Sequence, residues 1–168
     1  MKAHAMKINI FLSRLIASLF IFACLSMQVQ SATASGMSTE DLLELAEGNS
    51  TMAQRILGER YAMGTDGVTR DMDQAVSWWQ KAADKGDAQS QNYLGQAYSQ
   101  GEGIAQDLVQ AHMWFSLAET SNRKKTPAAL QHKKEAENNR KAAEANMTPE
   151  QIKTAQALAQ EWREKHNK

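Results

Sequence analysis

Residues 57–82 read LGERYAMGTDGVTRDMDQAVSWWQKA, and residues 94–118 read LGQAYSQGEGIAQDLVQAHMWFSLA. The two stretches share eleven aligned positions at a spacing of 36 or 37 residues, nine of them identical and two conservatively replaced. The spacing changes in the loop, where Thr65 and Asp66 are matched by Glu102 alone. An internal repeat of this length is typical of solenoids built from stacked supersecondary units.

Each unit reads as helix, loop, helix, because apolar residues recur at helical spacing and no alternating strand pattern is present. A glycine inside the first helix, Gly58 and again Gly95, costs about 1 kcal/mol of helix propensity. Its recurrence at the same repeat position therefore predicts a close approach of two helices. The predicted fold is all-α: a short right-handed α/α solenoid of helix-turn-helix repeats with a C-terminal capping helix. Such stacks build extended surfaces that hold other molecules.

The chain is predicted to divide into five segments: a signal peptide at 1–34, a leading half-repeat helix at 38–50, repeat 1 at 51–87, repeat 2 at 88–122, and a polar connection with C-terminal capping helices at 123–168. Ser38 and Asp71 are suited to cap helices. Thr126-Pro127 begins a helix that we expect to be mostly solvated, since Leu130 is its one large apolar residue. Thr148 with Gln151 forms a capping box before the last helix.

The N-terminus has the order of a secretory signal peptide. Three basic residues precede an apolar run from Leu15 to Met27, and Ala32-Thr33-Ala34 supplies small residues for cleavage after Ala34. One alternative is a retained membrane anchor, but the run is shorter than the ~20 residues that a spanning helix needs. The other is lipid attachment at Cys24, which the bulky Phe22 beside it disfavours.

Removal of this segment would leave 16 of the 19 basic residues against 19 acidic ones, a net charge of −3. That balance offers no electrostatic surface for nucleic acid or anionic lipid. The single cysteine would leave with the segment, so the mature chain has no disulfide and no cysteine metal site. We expect a periplasmic or secreted protein with no membrane span after cleavage.

The repeats resemble the Sel-one-like repeat, a relative of the tetratricopeptide repeat found in secreted bacterial proteins. Repeat 1 matches its pattern throughout, and repeat 2 departs at four positions. The matching residues of repeat 1 are Ala53, Leu57, Gly58, Tyr61, Gly64, Gly67, Val68, Asp71, Ala75, Trp78, Ala82, Ala83 and Gly86. The segment from Met147 to Trp162 also resembles the terminal helix of many secreted members. The resemblance implies the fold and an adaptor or interaction role, with no shared chemistry.

The aromatic pairs Trp78-Trp79 and Trp114-Phe115 occupy matched positions on the second helices, and we interpret them as core. One member of each pair is expected nearer the surface, with Trp78 and Trp114 as the anchors. His112 is expected to be a half-exposed packing residue. None of the mature histidines has a second histidine or cysteine at the spacing of a zinc site.

Two further motifs are weak signals for chemistry. Ser121 and Lys124 match the serine-x-x-lysine pattern of penicillin-recognising enzymes, but the partner motifs of those enzymes are missing. Asp66, Asp71 and Asp73 lack the spacing and the terminal glutamate of a calcium loop. We therefore predict no catalytic residue, no metal and no cofactor.

The predicted site is the concave face, which the first helix of each repeat should line. Amide side chains there can donate to and accept from a peptide backbone at once. The candidate residues are Arg55, Glu59, Gln89, Asn92, Gln96 and Ser99. An ordinary solvated helix face is the competing interpretation.

These observations predict a non-enzymatic scaffold or adaptor in the envelope that binds a protein or peptide through this face. One alternative is a β-lactam-binding or hydrolase-like enzyme, as among the cysteine-rich relatives. The other is an assembly subunit that docks through its C-terminal tail.

Overall fold

Seven α-helices make up the part of the chain that the computed structural model describes, residues 36–121 and 126–166, and no strand occurs in these ranges. They are α1 (Thr39–Glu47), α2 (Thr51–Met63), α3 (Met72–Ala83), α4 (Ala88–Gln100), α5 (Leu108–Ser121), α6 (Pro127–Glu144) and α7 (Pro149–His166). The predicted all-α repeat fold is confirmed. The proposed signal peptide, its cleavage site, Cys24 and the start of the polar connection lie outside the described residues.

The helices begin where side-chain capping predicts. The Ser38 hydroxyl accepts a hydrogen bond from the Asp41 amide, and the Asp71 carboxylate accepts one from the Gln74 amide at 3.0 Å. Thr148 and Gln151 satisfy each other's backbone amides, which completes the predicted capping box. The predicted starts of these helices are therefore confirmed, because each rests on a local interaction.

The two repeats turn in the same way. Gly64 and Gly101 end α2 and α4 in the left-handed conformation, with φ of 70° and 73°. A side chain would strain the backbone at this φ. Each loop is then fastened to its own first helix, since the Asp71 amide donates to the Tyr61 carbonyl and the Asp107 amide to the Tyr98 carbonyl.

Glycine in the first helix of each repeat allows an aromatic ring of the second helix to lie against the backbone. A Cβ atom on Gly58 would lie 2.3 Å from Trp79 Cδ1, and one on Gly95 would lie 2.4 Å from Phe115 Cε1. The predicted close approach is confirmed. The expectation that one aromatic of each pair lies nearer the surface is wrong, because Trp79 and Phe115 are only 6% and 1% exposed.

A buried glutamine joins each repeat to the preceding helix. Gln54 Nε2 donates to the Ala46 carbonyl at 2.9 Å, and Gln91 Nε2 donates to the Ala83 carbonyl at 3.1 Å. Carbonyls in the last turn of a helix lack the usual helical partner, and here the glutamine amide adds to the turn hydrogen bond that each carbonyl accepts from the Asn49 or Gly86 amide. Lys85 then donates to Gln54 Oε1 and Ser121 to Gln91 Oε1, both at 2.8 Å. This device recurs with the repeat, and the sequence analysis missed it.

The two C-terminal helices both pack on α5. Trp162 of α7 meets Trp114 edge-to-face, with ring centroids 6.2 Å apart, and Ala159 joins the main core. α6 buries a stripe of alanines at every seventh residue, Ala129, Ala136 and Ala143. No helix in the described ranges is long and apolar enough to cross a membrane.

Candidate functional site

The candidate residues lie on α2 and α4, the first helices of the two repeats, and the surface that these two helices share is called the inner face. Arg55 and Glu59 on α2 recur as Asn92 and Gln96 on α4, 37 residues later. The structure separates this set into two parts. Glu59 and Gln96 border an open pocket between α2 and α4, and Arg55 pairs with Glu59, whereas Gln89 and Asn92 lie under α6.

An ion pair and a phenol connect α2 to α4. Arg55 Nη1 lies 2.6 Å from Glu59 Oε1, and its Nε lies 3.8 Å from the Asp87 carboxylate, the N-cap of α4. Burial raises the pKa of Tyr93 to about 12, with the negative charge of Glu59 and a hydrogen bond to its carboxylate acting in the same direction. The phenol therefore stays protonated at neutral pH.

The pocket between these helices has a volume of about 260 Å³. Tyr93 and Trp79 pack together in its wall, with ring centroids 4.9 Å apart and planes tilted by 34°. Its remaining apolar lining comes from methionine and alanine, and Met63 is 64% exposed. The lining includes Glu59, Ala62, Met63, Met72, Gln96 and Gln100. Apolar walls with a few hydrogen-bonding groups at the rim are the usual composition of a binding pocket.

One end of the pocket carries an ion pair between two exposed side chains. Arg70 Nη2 lies 3.5 Å from Glu102 Oε2, which joins the loops of the two repeats. Both charges are solvated, so their mutual attraction is weak and either group can turn to a bound molecule.

Sequence reasoning missed Tyr93, which has no aromatic counterpart in repeat 1. An aromatic residue among polar ones on the inner helix was the available signal.

α6 covers the other part of the inner face. Asn92 is only 5% exposed, and its Oδ1 accepts a hydrogen bond from Asn139 Nδ2 at 3.0 Å. The Gln89 amide nitrogen lies 3.2 Å from His132 Nε2. Asn92 is therefore committed to a contact within the chain, and its amide is not presented to a partner.

A second cleft, of about 580 Å³, remains where α6 leaves α4. It is bordered by Gln96, Ser99 and Asn139. Ser99 donates its hydroxyl hydrogen to the Gln96 carbonyl at 2.9 Å, so only its oxygen lone pairs remain for a ligand.

Charged side chains fasten α6 to α5. Arg140 Nε lies 3.1 Å from Glu119 Oε2, and its Nη1 pairs with Glu144. His112 Nε2 lies 2.8 Å from Glu144 Oε1. His112 is 1% exposed, which corrects the expectation of a half-exposed position. Partial burial of the Glu144 carboxyl acts to raise its pKa, but the hydrogen bond to His112 and the charge of Arg140 outweigh burial and hold the pKa below its usual value.

The serine of the serine-x-x-lysine motif and two of the aspartates considered for calcium form contacts that stabilise the fold. Ser121 lies 2.8 Å from both Gln91 Oε1 and the Leu117 carbonyl. Asp71 caps α3, and Asp66 pairs with Arg60 at 3.1 Å. Within the described residues no cluster of histidine, cysteine and carboxylate side chains could hold a metal ion.

Comparison with known proteins identifies the repeat. A family model described as the Sel1 repeat matches residues 51–87 and again residues 88–121. The chain is similar to a solved structure of c5321, a protective antigen present in uropathogenic Escherichia coli strains and displaying an SLR fold. The TM-score is 0.67 and the sequence identity is 33%, over 76% of this chain and 25% of that protein.

A second solved structure, a Sel1 repeat protein from Oxalobacter formigenes, is 28% identical over 55% of this chain and 45% of that one, with a TM-score of 0.44. The chain thus spans about a quarter of the first structure's length and under half of the second's. A search of curated proteins found no significant match.

Proposed function

We propose, from the premise that the chain contains two Sel1 repeats, that it is a protein-interaction scaffold of the bacterial envelope and holds a segment of its partner in the pocket between α2 and α4. The observation that carries this proposal is the pocket itself. It combines an aromatic and methionine-rich wall with a rim of amide and carboxylate groups, and it stays open where the adjoining part of the inner face is covered by α6.

The pocket has room for one large apolar side chain. An engineered cavity of about 150 Å³ is known to hold benzene, and this pocket measures about 260 Å³. Met63 and Met72 in its lining are flexible and polarizable, which suits side chains of different shapes. A leucine, methionine or phenylalanine of the partner would therefore supply the anchor.

The rim suits the backbone on either side of such an anchor. Gln96 and Gln100 lie one helical turn apart on α4, and both border the pocket. Each amide can donate to a carbonyl and accept from a backbone N–H. The partner is thus a peptide segment with one apolar anchor, and affinity for such a short segment alone is modest.

The N-terminal pattern supports an envelope location: a basic start, an apolar run and small residues before Ser35. The enzymatic alternative has less support, since the Ser121 hydroxyl hydrogen goes to acceptors within the fold and, among the described residues, no basic side chain hydrogen-bonds to this hydroxyl. We therefore propose a binding role without catalysis.

Site-specific crosslinking tests the pocket. A photoreactive amino acid replaces Met63, and the matched control carries it at Lys133, an exposed residue of α6. We expect one partner to crosslink from position 63 in envelope preparations. The double substitution Gln96→Ala with Gln100→Ala should remove that product without changing helical content, since Gln100 is exposed, Gln96 is partly exposed and surface substitutions alter stability by only about 0.5 kcal/mol each.

The control crosslinker at position 133 shows whether the partner binds the pocket or the outer side of α6. If position 133 yields the product and the two glutamine substitutions leave it unchanged, the partner binds the charged outer side of α6. The pocket proposal would then be wrong, and the assembly role of the C-terminal tail would take its place.

A further inference from the structure

A cleft of about 510 Å³ lies on a different part of the molecule, between the α3–α4 turn, the end of α5 and the last turns of α7. Its lining contains three basic side chains, one carboxylate and two large apolar groups. These are Lys85, Arg163 and His166, then Asp84, then Leu117 and Trp162. The pocket between α2 and α4 shares no lining residue with it.

Arg163 differs from the other arginines in the described part of the chain. Each of the others has a carboxylate oxygen within 4 Å: Arg55 with Glu59, Arg60 with Asp66, Arg70 with Glu102 and Arg140 with Glu119. Among the described residues, no carboxylate pairs with Arg163. Its Nε is buried and has no hydrogen-bond acceptor there.

The indole nitrogen of Trp162, the residue before Arg163, is another buried donor without an acceptor among the described residues. The same is true of the indole nitrogens of Trp78, Trp79 and Trp114. The His166 ring stacks on the indole, with centroids 4.0 Å apart and planes 12° apart. Its Nδ1 lies 2.8 Å from the Trp162 carbonyl, which leaves Nε2 as the remaining ring nitrogen.

The other charges at the cleft do not supply the missing acceptor. Lys85 donates to the Asn49 carbonyl at 2.9 Å and to Gln54 Oε1 at 2.8 Å, so its positive charge is solvated by neutral groups. Asp84 Oδ1 accepts from Gln80 Nε2 at 2.9 Å. The lining therefore retains an excess of positive charge around an aromatic and aliphatic wall.

A structural role at the end of the helix accounts for only part of this arrangement. Basic residues in the last turn of a helix interact favourably with its dipole, and α7 has Arg163, Lys165 and His166 there. That role is fulfilled by an exposed side chain such as Lys165, which pairs with Glu161 at 2.7 Å. It does not require a buried guanidinium nitrogen, and a buried donor without an acceptor is costly.

We propose that this cleft is a carboxylate-binding site in which the Arg163 guanidinium is the principal ligand and the Trp162 ring forms part of the apolar wall. The planar guanidinium matches the two oxygens of a carboxylate. Asp84 in the lining disfavours a doubly charged phosphate more than a singly charged carboxylate. The carboxylate belongs either to a small organic acid or to an acidic side chain of a protein.

NMR titration of the full mature protein tests the site. The probes are sodium acetate and a capped peptide of four glutamates, each compared with sodium chloride at the same ionic strength. We expect the Trp162 indole and Arg163 Nε–H resonances to shift with saturation for a carboxylate and not for chloride. Tighter binding of the peptide assigns the carboxylate to a protein, whereas equal affinity assigns it to a small acid.

Two variants distinguish a specific contact with Arg163 from a general effect of positive charge on carboxylate binding. Arg163→Gln should weaken binding roughly tenfold or more, because a hydrogen bond to a charged group is lost. Lys165→Gln removes the same charge from the same turn, and binding should change less than about twofold since Lys165 is exposed and screened. Circular dichroism checks that both variants are folded.

The site would be refuted by shifts that do not saturate, by equal losses in the two variants, or by inorganic phosphate that binds as tightly as acetate. Arg163→Lys provides a further check if Arg163→Gln unfolds. It keeps the charge and loses the planar pair of donors, so binding should fall between that of the parent and that of the glutamine variant.

Discussion

Gly95→Ala sets helix propensity against packing, and the structure decides which effect is larger. Alanine is better than glycine in a helix interior by about 1 kcal/mol. The added Cβ would lie 2.4 Å from Phe115 Cε1, 2.5 Å from Cδ1 and 2.9 Å from Cζ. All three distances are well inside van der Waals contact, and Phe115 is buried, so the ring or its neighbours must shift to make room for the added methyl group.

Overpacking a filled core costs typically about 1–3 kcal/mol. Because three atoms of a rigid ring clash at once, we expect the upper half of that range. After the gain in propensity, the net loss in the free energy of unfolding should be about 1–2 kcal/mol. Gly58→Ala should behave similarly, since its Cβ would meet the Trp79 indole at 2.3 Å.

Urea unfolding followed by circular dichroism measures the change. Gln100→Ala, an exposed change on the same helix, should alter stability by no more than about 0.5 kcal/mol. Phe115→Leu added to Gly95→Ala should recover stability relative to the sum of the single changes, since the smaller side chain relieves the clash. A Gly95→Ala protein as stable as the parent would refute the argument from close approach.

Three other predictions concern the core, the α5–α6 contact and export. Trp78→Ala or Trp114→Ala should cost about 3–5 kcal/mol in urea unfolding, and a melting temperature within a few degrees of the parent would contradict the core assignment. Glu144→Gln should destabilise at pH 7. Because the folded pKa of Glu144 lies below the usual 4.5, the difference should be present above that value and vanish as pH falls through the folded pKa. Mass spectrometry of the mature protein should find Ser35 first, whereas a lipidated Cys24 would overturn the export prediction.

The elements that were predictable from the sequence are those that local chemistry or the repeat specifies. Asp71 caps a helix through its own neighbours, and Gly64 ends one by its backbone conformation. Gly58 and Gly95 revealed a contact with the second helix because the same unusual choice occurs twice. Gln54 and Gln91 also recur at the repeat spacing. Because polar residues are usually exposed, their burial was not predicted.

The part of the site that was not predictable depends on α6. Its buried stripe consists of Ala129, Ala136 and Ala143, and alanine at every seventh position among charged residues does not distinguish a packed helix from a solvated one. The contact between Asn92 and Asn139 joins residues 47 apart with no shared motif. His112 was misplaced for the same reason, since its partner Glu144 lies on α6.

The two parts of the inner face therefore differ in what they can bind. α6 meets α4 through amides and an imidazole and meets α5 through alanines and ion pairs, which together leave no space at Asn92. Between α2 and α4, Glu59 and Tyr93 both line the pocket, and the space beside them is open. A partner that needed Asn92 would first have to detach α6, with the loss of its partly buried ion pairs. On the inner face, the proposed recognition of a partner by the intact fold is for this reason expected at the pocket between α2 and α4.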